Sequence, residues 1–431
     1  MQEILKKAHV FSGRVKVPGD KSISHRALML AALASGESTI NGLATGRDVQ
    51  STASCLRAMG VDIEALTPGG PVLVKGAGGK GLKKPETVLD AGNSGTTIRL
   101  LSGILAGQPF QSTISGDQYL QKRPMRRIIE PLEEMGALIL SVPGGLPPLT
   151  VRGGELKGIT YRLPVASAQV KSCVLLAGLF AIGRTTVIEN VLSRDHTERM
   201  LPIFGVGVDK DGQAVSVEGG AKLTAADIDV PGDPSSAAFF AAAAAMVAGG
   251  EIRLDGLCLN PTRAAFFNVL EAMGAEIRKE NERVQAGEPV ADMVVRRKAL
   301  SAVRVEGSII PSLIDEIPIL AVLATQSKGL TVIRDAAELR VKETDRLKAV
   351  SGNLTRMGAR VQELNDGLEI EGPCPLQGTH IDSFGDHRIA MAFSAAALVA
   401  EGETTIDGAP CAEISFPGFY TVLRQLAGLE K

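Results

Sequence analysis

The chain has 431 residues, a formal charge of −2, 45% hydrophobic residues and no Trp. That length suggests two or three domains with large cores, and near-neutrality gives no general attraction for nucleic acid or membrane, so any basic site must be local. Five scattered cysteines without a C-x-x-C pair, Cys55, Cys173, Cys258, Cys374 and Cys411, read as buried thiols in a reducing compartment.

In chain order, a short strand is expected at 14–17, a helix at 23–33, a strand from about 39 and a second helix at 49–59. Further helix pairs follow at 96–105 and 126–135, 169–180 and 197–204, 236–247 and 262–273, 314–325 and 343–357, and 389–399 and 418–427. Segments 67–71 and 143–148 read as hairpin loops. The Gly- and Lys-rich segment 75–84 reads as a hairpin tip, because Gly79-Lys80 is followed by Gly81 and no helix signal, unlike a phosphate loop. No G-x-G-x-x-G stands on a strand-to-helix turn, so a nicotinamide or flavin cofactor is unsupported. The N-terminus has no signal-peptide pattern, and the small-apolar run 237–250 is too short to span a bilayer. A soluble cytoplasmic protein is expected.

Behind these elements lies a repeat. The first helix of each pair ends in Gly, as in Ala34-Ser35-Gly36 and Leu105-Ala106-Gly107. The second usually ends in Met-Gly-Ala or a variant, as in Met135-Gly136-Ala137, Met273-Gly274-Ala275 and Met357-Gly358-Ala359. The spacing of roughly 70–80 residues is too long for a solenoid repeat and suits six β-α-β-α-β-β units. The expected fold is α/β (α+β), with two similar lobes of three units each and helix N-termini converging on an inter-lobe cleft. The lobes are expected at 18–230, and at 1–17 with 231–431, so that the chain crosses between them twice.

Each first helix opens on Ser, Asp or Asn with Gly or Pro nearby, as in Gly19-Asp20-Lys21-Ser22, Gly92-Asn93-Ser94-Gly95 and Gly385-Asp386-His387-Arg388. Such starts offer free N–H groups and partial positive charge, which suits anions. Six starts facing one cleft would hold a small polyanion. Lys21 at a cap could transfer a proton, with Ser22 and Arg26 on one helix face; a surface helix with ordinary charges is the plainer reading. Lys342 and Arg346 are one turn apart if helical, with Glu343 between two cations; a solvated salt-bridged helix is the alternative. Asp315-Glu316, inside an apolar stretch, is either a cap or a buried base. Arg99, Arg123, Arg126 and Arg127 could fork onto an anion, although Arg126 and Arg127 fit an exposed helix start better. His196 and His387 lack any partner pattern for a metal.

Taken in order, Pro18-Gly19-Asp20-Lys21-Ser22-Ile23-Ser24-His25-Arg26, Gly92-Asn93-Ser94-Gly95-Thr96-Thr97, Lys122-Arg123-Pro124-Met125, Ser167-Ala168-Gln169, Lys342-Glu343-Thr344-Asp345-Arg346 and Asp386-His387-Arg388-Ile389-Ala390-Met391 resemble the 5-enolpyruvylshikimate-3-phosphate synthase family over essentially the whole chain. The resemblance implies transfer of the carboxyvinyl group of phosphoenolpyruvate to the 5-hydroxyl of shikimate 3-phosphate, with no metal or organic cofactor. It also implies lobe closure on substrate. By the same resemblance Ser22, Arg26, Ser167, Ala168, Gln169, Arg194 and Lys342 would hold shikimate 3-phosphate. Lys21, Gly95, Arg123, Arg346 and Arg388 would hold phosphoenolpyruvate. Asp315 would take the hydroxyl proton, and Glu343, with Lys21 as second candidate, would protonate the methylene carbon.

Arg194-Asp195-His196-Thr197-Glu198 and Asn260-Pro261-Thr262-Arg263 resemble the class II branch, which includes glyphosate-tolerant members. Tolerant forms can carry Ala where this chain has Gly95, so glyphosate stays a candidate inhibitor. Two positions depart from the family pattern. No Lys precedes Ser415-Phe416-Pro417, and Tyr119 stands where Ser is expected beside the Arg123 loop. The sister transferase acting on UDP-N-acetylglucosamine carries Lys-Asn where this chain has Lys21-Ser22, and a reactive Cys on its mobile loop. A non-catalytic anion-binding paralogue would have lost the Lys21, Asp315 and Glu343 set. A monomer is expected.

Overall fold

Parallel neighbours in a sheet need a crossover, and here an apolar helix supplies it. In the second repeat, strand Leu89–Asp90 runs parallel to Gln111–Ser115, with helix Gly95–Ala106 between them in sequence. Helix Arg126–Glu134 follows, and then the antiparallel hairpin of Leu138–Val142 and Leu146–Arg152, whose second arm pairs with Gln111–Ser115. The same strand order recurs in the third and fifth repeats. The computed structural model, which describes residues 1–429, is thus the mixed α/β repeat architecture that the sequence pattern implies.

Three sheets take a strand from far along the chain. Ile228–Asp229 pairs parallel with Ser35–Asn41 in the first repeat. Ser12–Val15 pairs parallel with Glu251–Cys258 in the fourth. Gln2–Lys6 pairs antiparallel with Glu403–Asp407 in the last. Ser12–Val15 therefore belongs to the sheet of the fourth repeat, and Val15 and Val17 bury in the same core as Leu254 and Leu257. The contacts divide the chain into two compact units. One is Gly19–Val230 with Gln285–Glu288; the other is Met1–Pro18, Pro231–Val284 and the chain from Pro289. Each holds three of the six sheets.

The first helix of each repeat is buried almost all round, and Pro234–Met246 is buried at every residue. Small side chains make this possible. A Cβ on Gly103 would lie 2.2 Å from the Cys173 carbonyl oxygen, so helices Gly95–Ala106 and Ala168–Gly178 meet backbone to backbone. The second helices are amphipathic: Arg126–Glu134 buries Ile128, Ile129 and Leu132 and exposes Arg126 and Arg127. One helical stretch, Gly307–Thr325, is long and apolar enough to cross a membrane, but it is mostly buried in the protein and carries Asp315 and Glu316 at its centre.

Two local expectations fail for clear reasons. The helix expected from 343 begins at Arg346, because the Asp345 side chain accepts from the Lys348 amide and caps it there. Lys342 is extended, so it is not one helical turn from Arg346. The 75–84 segment is not a hairpin tip. Val72–Ala77 is the last strand of the first repeat's hairpin and Leu89–Asp90 opens the next sheet, so the segment joins two repeats.

The strand Gln2–Lys6 buries Leu5 completely in the core. Leu5→Ala is expected to destabilise the protein by about 2–5 kcal/mol in urea unfolding, the cost of a cavity in a well-packed core.

Candidate active site

In the unit formed by Gly19–Val230, polar side chains gather where the buried helices begin. Asp20 caps helix Lys21–Leu33 by accepting from the Ile23 amide. Lys21, at its first position, places Nζ 3.0 Å from Asp48 Oδ2. Five residues on, Arg26 is buried and every arm of its fork is held. Nε donates to Thr197 Oγ1 at 2.7 Å, one terminal nitrogen to the Ser22 carbonyl at 2.8 Å and the other to Ser172 Oγ at 2.7 Å. Burial pushes the Arg26 guanidinium down to about 10; Glu198 and Asp20 oppose the shift and Arg194 adds to it. Arg26 is thus a buried cation held by two hydroxyl groups and a carbonyl.

The next two helix starts join this one. Ser94 caps Gly95–Ala106, and Ser167 caps Ala168–Gly178. Gln169 donates to Thr96 Oγ1 at 3.0 Å and accepts from Arg99 at 2.7 Å, which ties the two first turns together. Arg123 donates to Asn93 Oδ1 at 2.7 Å. A Cβ on Gly95 would stand 2.8 Å from an Arg99 nitrogen and 3.4 Å from one of Arg123, so Gly keeps room between that helix start and two guanidinium groups. Lys21, Ser22, Arg123, Ser167, Ala168, Gln169 and Arg194 are all half-buried, which leaves them part-open to solvent.

In the other unit, arginines and carboxylates join the helix starts. Arg346 is 1% exposed on its side chain. It donates to Asp386 Oδ2 at 2.8 Å, to Glu343 Oε2 at 2.6 Å and to Asp315 Oδ1 at 3.3 Å. Asp386 in turn caps helix His387–Ala397 through the Arg388 amide. Burial works against the Arg346 charge, but Asp386, Glu343 and Asp315 outweigh it and raise its pKa. Arg388 donates to the Asp315 carbonyl at 3.2 Å and lies 3.5 Å from its carboxylate. The Lys342 ammonium is held below its usual range, by desolvation first and by Arg346, against the pull of Asp315 and Glu343. Asp315, Glu343, Lys342, Arg346 and Arg388 are therefore one electrostatic group.

Several members of these networks carry no motif in the sequence. Asp48, Thr52 and Ser172 are ordinary helix residues until the fold brings them together. His25 Nδ1 meets Thr52 Oγ1 at 2.7 Å, which meets Thr97 Oγ1 at 2.7 Å. Arg263 donates to Asp233 at 2.8 Å and to Glu316 at 3.0 Å, also touching Ser235. Lys171 could have been found as the one charge inside the apolar helix Ala168–Gly178. His196 pairs with Glu288 at 2.8 Å. Among the described residues no cluster of three His, Cys, Asp or Glu side chains is arranged to hold a metal. Burial pushes the thiols of Cys55 and Cys173 up to about 12, which makes them poor nucleophiles.

Burial, with Lys21 and Arg26 nearby, holds the His25 pKa well below 6.5, against a smaller opposing pull from Asp20. A depressed folded-state pKa gives stability that is present above the unfolded value and lost as pH falls below it. Between pH 6.5 and 5 the unfolding free energy of the wild type should therefore fall more steeply than that of His25→Asn, by up to about 1.4 kcal/mol per pH unit. Urea titrations across that range measure the difference.

The comparisons with known proteins agree with one another. The family model described as EPSP synthase (3-phosphoshikimate 1-carboxyvinyltransferase) matches residues 5–423. A 3-phosphoshikimate 1-carboxyvinyltransferase of Synechococcus sp. (strain JA-3-3Ab) is 54% identical over 98% of this chain and 96% of its own length. One from Brevibacillus brevis is 52% identical over 98% and 99%. A solved structure of EPSP synthase from Acinetobacter baumannii superposes with a TM-score of 0.89 at 44% identity, covering 99% of this chain and 98% of that one. A repeat fold with caps and arginines gathered at its helix starts, matched from end to end at this identity, belongs to the EPSP synthase (3-phosphoshikimate 1-carboxyvinyltransferase) family.

Proposed function

We propose a division of labour for the reaction this chain catalyses as a family member, transfer of the enolpyruvyl group of phosphoenolpyruvate to the 5-hydroxyl of shikimate 3-phosphate with release of phosphate. Asp315 takes the proton of the attacking hydroxyl. Glu343 delivers a proton to the methylene carbon, with the Lys21 ammonium as second donor. Protonation gives the central carbon oxocarbenium character and the hydroxyl oxygen adds to it. The tetrahedral intermediate then loses phosphate, and the methyl group returns its proton to restore the double bond. Arg346 carries this reading: one buried guanidinium grips both Asp315 and Glu343, so acid and base are fixed by a shared partner.

The unit around Gly19–Val230 mainly holds shikimate 3-phosphate, through Ser22, Arg26, Ser167, Ala168, Gln169 and Arg194. The other unit supplies Lys342 for the same substrate, together with the acid and base. The anionic ends of phosphoenolpyruvate go to Lys21, the open helix start at Gly95, Arg123, Arg346 and Arg388. Fixed cations and helix-start N–H groups suit two polyanionic substrates without a metal or organic cofactor. Glyphosate, a small phosphonate-carboxylate, is a candidate competitor for the phosphoenolpyruvate positions. The working form is a cytoplasmic monomer.

Phosphate release from the purified protein, without added metal, tests the reading directly: release should require both substrates. Release from phosphoenolpyruvate alone, or none with both present, overturns it. Asp315→Ala and Glu343→Ala should each lower turnover by about 10²–10⁴-fold while shikimate 3-phosphate binding, followed by calorimetry, stays near wild type. Gly95→Ala drives a methyl toward Arg99 and Arg123. It should weaken phosphoenolpyruvate by about 1–3 kcal/mol, seen as a raised KM for that substrate with little change in the KM for shikimate 3-phosphate.

A further inference from the structure

Lys171 is a buried ammonium in the body of an apolar helix, and it takes no part in the chemistry above. Its side chain is 1% exposed, as are those of Glu189 and Glu198. An ammonium has three N–H donors, and here each has an acceptor: Glu189 Oε2 at 2.6 Å, Glu198 Oε1 at 2.8 Å and the Ser193 carbonyl at 3.3 Å. Glu189 turns its other oxygen to the same loop, accepting from the Ser193 amide at 3.1 Å and from the Ser193 hydroxyl. The three acceptors mark the start, middle and end of one connection, from the close of strand Arg184–Ile188 to helix His196–Met200.

Moving charges out of water is costly, and a buried ion set is a weak source of stability compared with apolar packing. What this set does provide is a fixed path for the loop. Arg194 follows directly on Ser193. Thr197, one residue before Glu198, accepts from Arg26 Nε. The helix that carries Lys171 begins at Ala168, beside Ser167 and Gln169.

We propose that Lys171 is a positioning residue for shikimate 3-phosphate. By clamping the 189–198 connection from beneath, it holds Arg194 at the anion site beside Arg26 and the helix start at Ser167. This rests on the assignment of Arg194 to that substrate. The clamp acts on binding of one substrate, so its loss should appear in one KM and leave the proton transfers alone.

Glu189→Gln is the variant of choice, because it leaves Lys171 paired with Glu198 and so leaves no carboxylate buried against another. It should raise the KM for shikimate 3-phosphate by about tenfold, with kcat within about twofold and the KM for phosphoenolpyruvate unchanged. In an Arg194→Ala background it should add little further, since the residue it positions is gone. If Glu189→Gln fails to fold, Ser193→Ala, which removes only the hydroxyl that Glu189 accepts from, should give the same split on a smaller scale. A wild-type KM in Glu189→Gln and Ser193→Ala, an effect that adds fully to Arg194→Ala, or a fall in kcat alone in proportion to lost folded protein overturns the proposal. A wild-type KM in Arg194→Ala itself overturns the assignment of Arg194, and the clamp proposal with it.

Discussion

A helix that starts inside a protein presents unpaired N–H groups and a partial positive charge that something must answer. Both units bury three such helices, and the residue placed at each start decides the chemistry that follows. Where the cap is Asp386 or Asp233, the helix start is already answered by a carboxylate, and that carboxylate recruits a guanidinium, Arg346 or Arg263. Where the cap is Ser94 or Ser167, the hydroxyl satisfies one amide and adds no charge. The Gly19–Val230 unit, where Asp20 is also a cap, therefore mixes hydroxyl groups with ion pairs, while paired ions dominate the other.

This difference suits a reaction with two kinds of demand. Holding a phosphorylated ring takes fixed donors and little change of charge. Moving protons takes carboxylates whose charge can be traded while a neighbour keeps them in place. Arg346 is that neighbour: its pKa is raised by the carboxylates around it, so it stays charged through any proton transfer they make. Arg26 is the opposite case, a cation pushed down by burial and held by neutral partners, with charge to offer an incoming anion.

The repeat, the helix pairs and the cap residues were legible because each leaves a local pattern: Gly after a helix, Ser or Asp before one, apolar residues at helical spacing. Lys21, Arg346 and Asp386 stood out for the same reason. What could not be read depends on which distant strands pair. The 14–17 segment has the pattern of a strand but nothing in it says which sheet it joins; burial of Val15 and Val17 decides that. The helix start at Arg346 is not legible in the sequence, because Glu343 and Thr344 are acceptable helix residues and only the capping bond of Asp345 fixes the boundary. Lys171 is legible as the one charge in an apolar helix, but its partners are not, because Glu189, Ser193 and Glu198 meet it only in the fold.

The strand Gln2–Lys6 pairs with Glu403–Asp407, and Ser12–Val15 with Glu251–Cys258. A ribosome makes the first of these segments long before their partners exist. The stretch from Gly19 to Val230 holds eleven of the twelve strands of its three sheets before its closing strand, Ile228–Asp229, appears. Domains generally fold as units, in the order they are made. Gly19–Val230 can therefore be settled while Gln2–Lys6 and Ser12–Val15, made before it, still wait for their partners.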